Sequence, residues 1–413
     1  MAIRMEDIVY PGGVDRAKTI TWLPEPEKRH RKYTIFSCDD HLVEPKDTFV
    51  GRMPAKFGDR VPRVEELPGG GEAWIFDGNV LPNLGLNAVV GRPVSEYNLE
   101  PTRFEDMRRG AWDSKARVAD MDLDGVYASL NFPSHLGGFG GGRLQTTSKD
   151  LELSLAAVRA WNEWHIEEWV GSHPDRLIAC TITWLHDPEL GAEEIRRNAA
   201  RGCHAITFPE TPHLMGFPSL HTDHWDPIMR ACEETDTVVC LHTGSSGAAP
   251  ATSPGAPFGV TGVIFGNVAM VTAIDWVYSM IPVRFPKLKI CLSEGGIGWV
   301  PALLDRFDHC ERFGDTWFDS EVRPSEVLLR NFSFCMLDDP RTIRLLDTIG
   351  ADRVMFEVDY PHADTSWPNS QSMLENQIGH LPKEQIELIA WKNASTLFRH
   401  PVPAAVQADP NAF

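Results

Sequence analysis

One feature constrains the fold more than any other: short apolar runs alternate with amphipathic stretches along nearly the whole chain. Eight runs rich in β-branched and aromatic residues follow in order, at 33–36, 125–132, 176–184, 203–209, 237–243, 288–294, 331–336 and 353–360. They are nearly continuous in apolar character, as strands are when both faces are covered. Segments of helical periodicity separate most of them, at 151–172, 188–201, 224–235, 300–313, 340–349 and 383–398. Gly202 and Gly350 stand where helices are expected to stop. Eight alternating β and α units predict a closed (β/α)8 barrel of the TIM type. A doubly wound open sheet is the alternative, but no GxGxxG follows the first run.

The rhythm breaks once. Residues 45–112 are rich in Pro and Gly and too long for a plain βα loop. EAWIFDG (72–78) inside them reads as a hairpin strand with its turn. We expect an inserted cap over the barrel mouth. The division is then an arm (1–32), a barrel with its cap (33–401) and a tail (402–413), the tail being a loose or partner-wrapped arm. The Gly-rich stretch 135–142 (HLGGFGGG) follows the second strand. It lacks the Lys and Ser/Thr of a phosphate-cradling loop and is expected to be a mobile lid.

Composition excludes several functions. The net charge of −19 opposes binding to nucleic acid or an anionic membrane. No uncharged apolar stretch reaches the length of a membrane span, and the opening residues lack a signal-peptide core. The eight cysteines form no CxxC pair and sit mostly in apolar runs. They are expected to be buried thiols in a reducing cytoplasm, not zinc ligands.

Barrel enzymes place their chemistry where strands end. Asp39 and His41 follow the first strand and, two apart, project to one side, with Asp40 on the other. His242 ends the fifth strand and Asp359 the eighth. A lone His in an apolar strand is usually a satisfied core residue, but these four ends are neighbours around a closed barrel. Glu210, Glu294 and Glu357 end or enter the fourth, sixth and eighth strands. A carboxylate there must be paired or bind a cation. These seven residues are the candidate metal ligands, with Glu294 and His362 as candidate acid/base groups. Asp364 is a supporting group. His221 and His224 fit helix capping as well as any ligand role, and His204 reads as structural. Asp39, Glu210, Glu294, Glu357 and Asp359 bring up to five negative charges to one mouth. One divalent ion would leave about three uncompensated and two would leave about one.

Asp39-x-His41 with Glu44-Pro45, then His242, then SEGGIGW (293–299), then DYPHADTSWP (359–368) together resemble the amidohydrolase-2 branch of the metal-dependent barrel amidohydrolases. The resemblance spans about 33–401 and implies Asp39, His41, His242 and Asp359 as metal ligands. Three departures stand out against the family pattern. Asp39 takes the first position of the usual HxH. Glu294 takes the place of a His that serves as base or ligand. Glu210 is the nearest group to the carboxylated Lys of dinuclear relatives. Each replaces nitrogen by oxygen, which suits Fe(II) or Mn(II) better than zinc and matches the ligand count of di-iron carboxylate centres. The resemblance therefore implies a two-iron centre. The matching activity is that of the non-haem di-iron monooxygenases of diterpenoid biosynthesis on this barrel. On that reading the expected substrate is bulky and apolar, terpenoid- or steroid-like and carried as a CoA thioester. Trp74, Phe76, Phe139 and Trp367 would line its site. The alternative is a mononuclear hydrolase or non-oxidative decarboxylase of the amidohydrolase-2 type, with Mn or Zn. A non-catalytic binding barrel is the third reading, opposed by the complete ligand set. A small-molecule substrate is expected on any catalytic reading, and a homo-oligomer is compatible with all of them.

Overall fold

The computed structural model describes residues 20–67, 70–82, 85–97, 103–247, 251–257, 259–310, 313, 317 and 320–413. The barrel staves are β1 (Phe36–Leu42), β5 (Ala128–Pro133), β6 and β7 (Leu177–Ala179 and Thr181–Ile182, one run interrupted at Cys180), β8 (Ala205–Thr207), β9 (Val238–His242), β10 (Ile290–Ser293), β11 (Phe332–Met336) and β12 (Val354–Phe356). They pair in parallel in the orders β1-β5-β6 and β7-β8-β9-β10-β11-β12. The two ends meet through the backbone: Asp359 N donates to Asp39 O at 2.9 Å, and His41 N to Tyr360 O at 2.7 Å. Eight staves in sequence order form the (β/α)8 barrel, because each apolar strand is covered outside by its following helix.

The expected strand positions hold in order, but one boundary matters. The first strand was expected at 33–36, ahead of the Asp-x-His motif; β1 instead contains the motif. Its register slips between Ser37 and Asp40. Such a bulge re-aims side chains locally.

Two helices escape periodicity. Ser114–Asp124 is highly polar, yet Asp113 caps it by accepting from Lys115 N and Ala116 N, and Gly125 closes it at φ 81°. Phe265–Tyr278 is apolar nearly all round, so no amphipathic stripe marks it.

The inserted segment carries an antiparallel sheet of β2 (Arg63–Glu66), β3 (Glu72–Phe76) and β4 (Asn79–Pro82). Asp77 and Gly78 turn the β3–β4 hairpin at φ 50° and 75°. Trp74 and Phe76 are fully buried. Val89 N donates to Pro361 O, past β12, and Asn79 Nδ2 to Thr147 O, past β5.

The tail departs from the expected loose arm. Val402 and Val406 are buried in one cluster with Phe36 and Val238, and Phe413 packs edge-on against Tyr127 at 5.0 Å. These apolar side chains close the end of the barrel opposite the ligand-bearing strand ends. The same cluster contains Cys38, Cys180, Cys240, Cys291 and Cys335, all buried. Cys38 and Cys335 have sulfurs 3.0 Å apart. Burial pushes the Cys38 thiol up, so it stays protonated as the apolar reading expects. No helix among the described residues is long and apolar enough to cross a membrane.

Candidate metal centre

Parallel strands bring their C-terminal ends to one rim, so residues far apart in sequence converge there. His41 Nε2 and His242 Nε2 face each other at 2.9 Å. Asp39 lies between them, Oδ1 3.4 Å from His41 Nε2 and Oδ2 3.4 Å from His242 Nε2. Asp359 Oδ1 is 3.7 Å from His41 Nε2 and 2.9 Å from His362 Nδ1. Glu294 Oε2 is 3.5 Å from His242 Nε2. Asp39, His41 and His242 can offer atoms to one ion, and so can His41, Asp359 and His362.

Asp39, His41, His242 and Asp359 are wholly buried, and neither oxygen of Asp39 has a hydrogen-bond partner. Isolated buried carboxylates carry a heavy desolvation cost. An oxygen–nitrogen donor set with unpartnered oxygens therefore fits a divalent cation. Electrostatics agree. Burial, then Glu357 and Glu294, push the Asp39 carboxyl up. Burial, then Glu294 and Asp39, do the same to Asp359. Burial drives His242 down to about 4, so its imidazole is neutral and able to ligate. Burial, with the neighbouring His362 and His242, also lowers His41.

Two of the seven candidate ligands are held differently. Both oxygens of Glu210 accept from Gly244 N, at 3.0 and 3.1 Å, and burial raises its carboxyl to about 7. Glu357 Oε2 accepts from Glu294 N at 3.1 Å. Neither of these, nor Glu294, belongs to the two convergent groups among the described residues. Glu294 and Asp359 hold left-handed backbone, at φ 58° and 56°. Side chains other than glycine adopt that conformation at a cost of about 1–3 kcal/mol when the surroundings impose it.

The remaining expectations sort by place. Phe139 lies 4.5 Å, ring to ring, from both His41 and His242, and 5.2 Å from His362. Trp74 and Phe76 are buried in the core, and Trp367 Nε1 donates to Asp120 O. His221 pairs with Asp275 at the surface, and His204 Nδ1 lies 3.1 Å from Thr235 O. Burial raises Asp364, which adds negative charge near Glu294 and Asp359.

Sequence reasoning missed the support beneath these residues. Asp40 accepts from Ser37 Oγ and Tyr360 N, and from Ser129 Oγ. Arg117, wholly buried, donates to Gly110 O and to His41 O, with Nη1 4.0 Å from Asp40. A usable signal existed: Arg117 shares a helical stripe with the buried Val118 and Met121. Glu44, quoted only as part of a motif, accepts from His135 N, Leu136 N and Gly137 N and ties down the loop that carries Phe139.

The chain is 25% identical over 299 residues to a gamma-resorcylate decarboxylase of Polaromonas sp. strain JS666, covering 68% of this chain and 86% of that one. A second, from Rhodococcus jostii RHA1, is 26% identical over 269 residues, 60% of this chain and 78% of its own. Among solved structures, an amidohydrolase of Mycobacterium avium subsp. paratuberculosis K-10 superposes with a TM-score of 0.72 at 23% identity, covering 89% of this chain and all of that one. The dihydroxybenzoic acid decarboxylase of Polaromonas, solved with manganese and 2-nitroresorcinol, superposes with a TM-score of 0.59 at 18% identity, over 92% and 99% of the two chains. The amidohydrolase family pattern itself matches residues 67–400, most of the 413, and the chain belongs to that family.

Proposed function

We propose that this protein is a divalent-metal-dependent, non-oxidative decarboxylase of a small hydroxylated aromatic acid. One observation carries the reading. Asp39, His41 and His242 converge in one buried group and His41, Asp359 and His362 in another, with unpartnered carboxylate oxygens, in a chain whose curated relatives are decarboxylases of such acids. Asp39, His41, His242 and Asp359 would hold the ion, and manganese, present in a relative's structure, is the first metal to test. When bound, it would neutralise the carboxylates and polarise an oxygen of the acid.

The protein's own residues then have defined tasks. The reaction breaks the ring–carboxylate bond, releases CO2 and places a proton on the ring carbon. Glu294, 3.5 Å from His242 Nε2, delivers that proton from its carboxyl. His362, with Nδ1 facing Asp359, presents Nε2 as a second polar contact. Phe139 and Phe132, ringed around the histidines, exclude water and offer flat surface to an aromatic ring. Residues 45–112 serve as the cap, through their bonds to the rim at Pro361 and Thr147.

The test is CO2 release from 2,6-dihydroxybenzoate and from 5-carboxyvanillate by manganese-loaded protein. Glu294→Gln should keep one metal per chain while turnover falls at least about 100-fold, the usual worth of a positioned acid. No CO2 from either acid would remove this reading.

A second reading rests on a different observation: Glu294, Glu210 and Glu357 add three carboxylates around the four proposed ligands. That surplus favours a two-iron oxygenase of a bulky apolar substrate. Two irons per chain, with substrate-dependent O2 consumption, would support it over the decarboxylase. One metal and no O2 uptake would exclude it.

A further inference from the structure

On the basis of the decarboxylase reading, we propose that Phe139 sets the size of the acid this site accepts: it admits one six-membered ring and turns away a fused second ring. The constraint begins with the loop that carries it.

Sequence predicts a mobile lid at the Gly-rich stretch 135–142; the structure makes it a wall. Five staves hold it in turn. After β1, Glu44 accepts from His135 N, Leu136 N and Gly137 N. At β5, a Cβ on Gly137 would lie 2.6 Å from Pro133 Cβ. At β7, a Cβ on Gly141 would lie 2.4 Å from Ile182 Cγ2. At β8, Thr207 Oγ1 donates to Phe139 O. After β9, a Cβ on Gly140 would lie 2.8 Å from Ser245 O. No side chain fits into such contacts, so the loop backbone rests directly on the staves. Inside the loop, Gly141 N donates to Gly138 O at 2.8 Å and Arg143 N to Gly137 O at 3.1 Å. A segment tied at so many points opens only by breaking several contacts together.

Phe139 stands on this wall with its ring against three imidazoles. The separations are 4.5 Å to His41, 4.5 Å to His242 and 5.2 Å to His362. These are contact distances for aromatic rings, so nothing fits between them. Phe132 packs on the same two ligating histidines, at 5.6 Å from His41 and 5.3 Å from His242. The side of the centre toward β5 is thus filled. The arc from β10 to β12 is different. It carries Glu294, whose side chain is 10% exposed, and the exposed Asp364.

A flat acid reaching the centre from that arc meets Phe139 as its far boundary. One ring can lie beside it. A second ring fused on that edge would have to take the place of Phe139 itself, and the wall behind does not yield. Packed surroundings absorb extra atoms only at a cost.

Titration calorimetry of the metal-loaded protein with 2-hydroxybenzoate and 1-hydroxy-2-naphthoate reads this boundary. The two acids share a head group and differ by one fused ring. The wild type should prefer the smaller acid by at least about tenfold, and Phe139→Ala should erase or reverse that preference. Phe139→Leu, which fills less of the position, should shift it less in the same direction. Binding is read without turnover. A protein that discriminates in this way yet releases no CO2 from either acid would lose the decarboxylase reading and keep the boundary. Equal affinities in the wild type, no binding of either acid, or a preference unchanged in both variants would overturn the proposal. So would hydrogen exchange at Gly141 as fast as in an unfolded chain, because the wall would then be a lid.

Discussion

Glu44 offers the sharpest test of how the site is held. Its carboxylate, wholly buried, accepts from His135 N (3.0 Å) and Leu136 N (3.2 Å) on one oxygen and from Gly137 N (3.0 Å) on the other. The loop it fastens places Phe139 on His41 and His242. Glu44→Gln keeps the size but turns one acceptor into an NH2 donor. If the carbonyl oxygen keeps the pair at 135 and 136, the NH2 points at Gly137 N, donor against donor. Losing a hydrogen bond to a charged acceptor costs about 1.5–3 kcal/mol. At about 1.4 kcal/mol per factor of ten, local opening of the loop rises about 10- to 100-fold. Native-state hydrogen exchange resolved at residues 135–142 reads this directly. The amides of 135–137 should exchange faster by that factor, while helix Ser114–Asp124 follows only the change in global stability. Metal loss to a chelator should quicken in step. Gly137 exchanging as slowly as in the wild type would refute the argument.

Three further outcomes are expected. His242→Ala should lower affinity for a divalent transition metal more than about tenfold; an unchanged metal content by elemental analysis would end the ligand assignment. Arg117→Met strands Asp40 and two backbone carbonyls in the interior, so urea unfolding should show a loss of about 3–5 kcal/mol, against less than about 1 if the guanidinium is idle. His165 is buried neutral, its Nε2 accepting from Cys180 N, and burial lowers it to about 3. A depressed folded value means stability is full above the ordinary His value and is lost as pH falls from about 6.5 toward 3, by at most about 5 kcal/mol. His165→Gln, which accepts a bond without titrating, should flatten that stretch of the stability–pH curve; an identical curve would show that other groups set it.

Much of this could be read before the coordinates because barrel strands are monotonous. Apolar runs such as 237–243 and 288–294 have one sensible place, and β9 and β10 occupy it. The residues whose chemistry is unusual for such a run stood out for the same reason: His242 and Glu357 are polar where burial is otherwise complete. What stayed hidden was relational. Whether Glu210 faces an ion or a backbone amide depends on where Gly244 turns, and nothing near residue 210 records that. Arg117 supports His41 from 76 residues away, and only the fold makes them neighbours. The helix Phe265–Tyr278 was illegible because periodicity needs contrast between two faces, and it has little.

The left-handed backbone at Glu294 and Asp359 has a consequence for laboratory evolution. Glycine at either position would relax the backbone, by about 1 kcal/mol or more, and would remove a buried acid as well. A selection scored only on heat resistance of metal-free protein should therefore enrich Gly at 294 and 359 and drift away from function. A selection that also demands turnover should hold both acids in place. The two positions are where thermal robustness and activity pull the sequence in opposite directions.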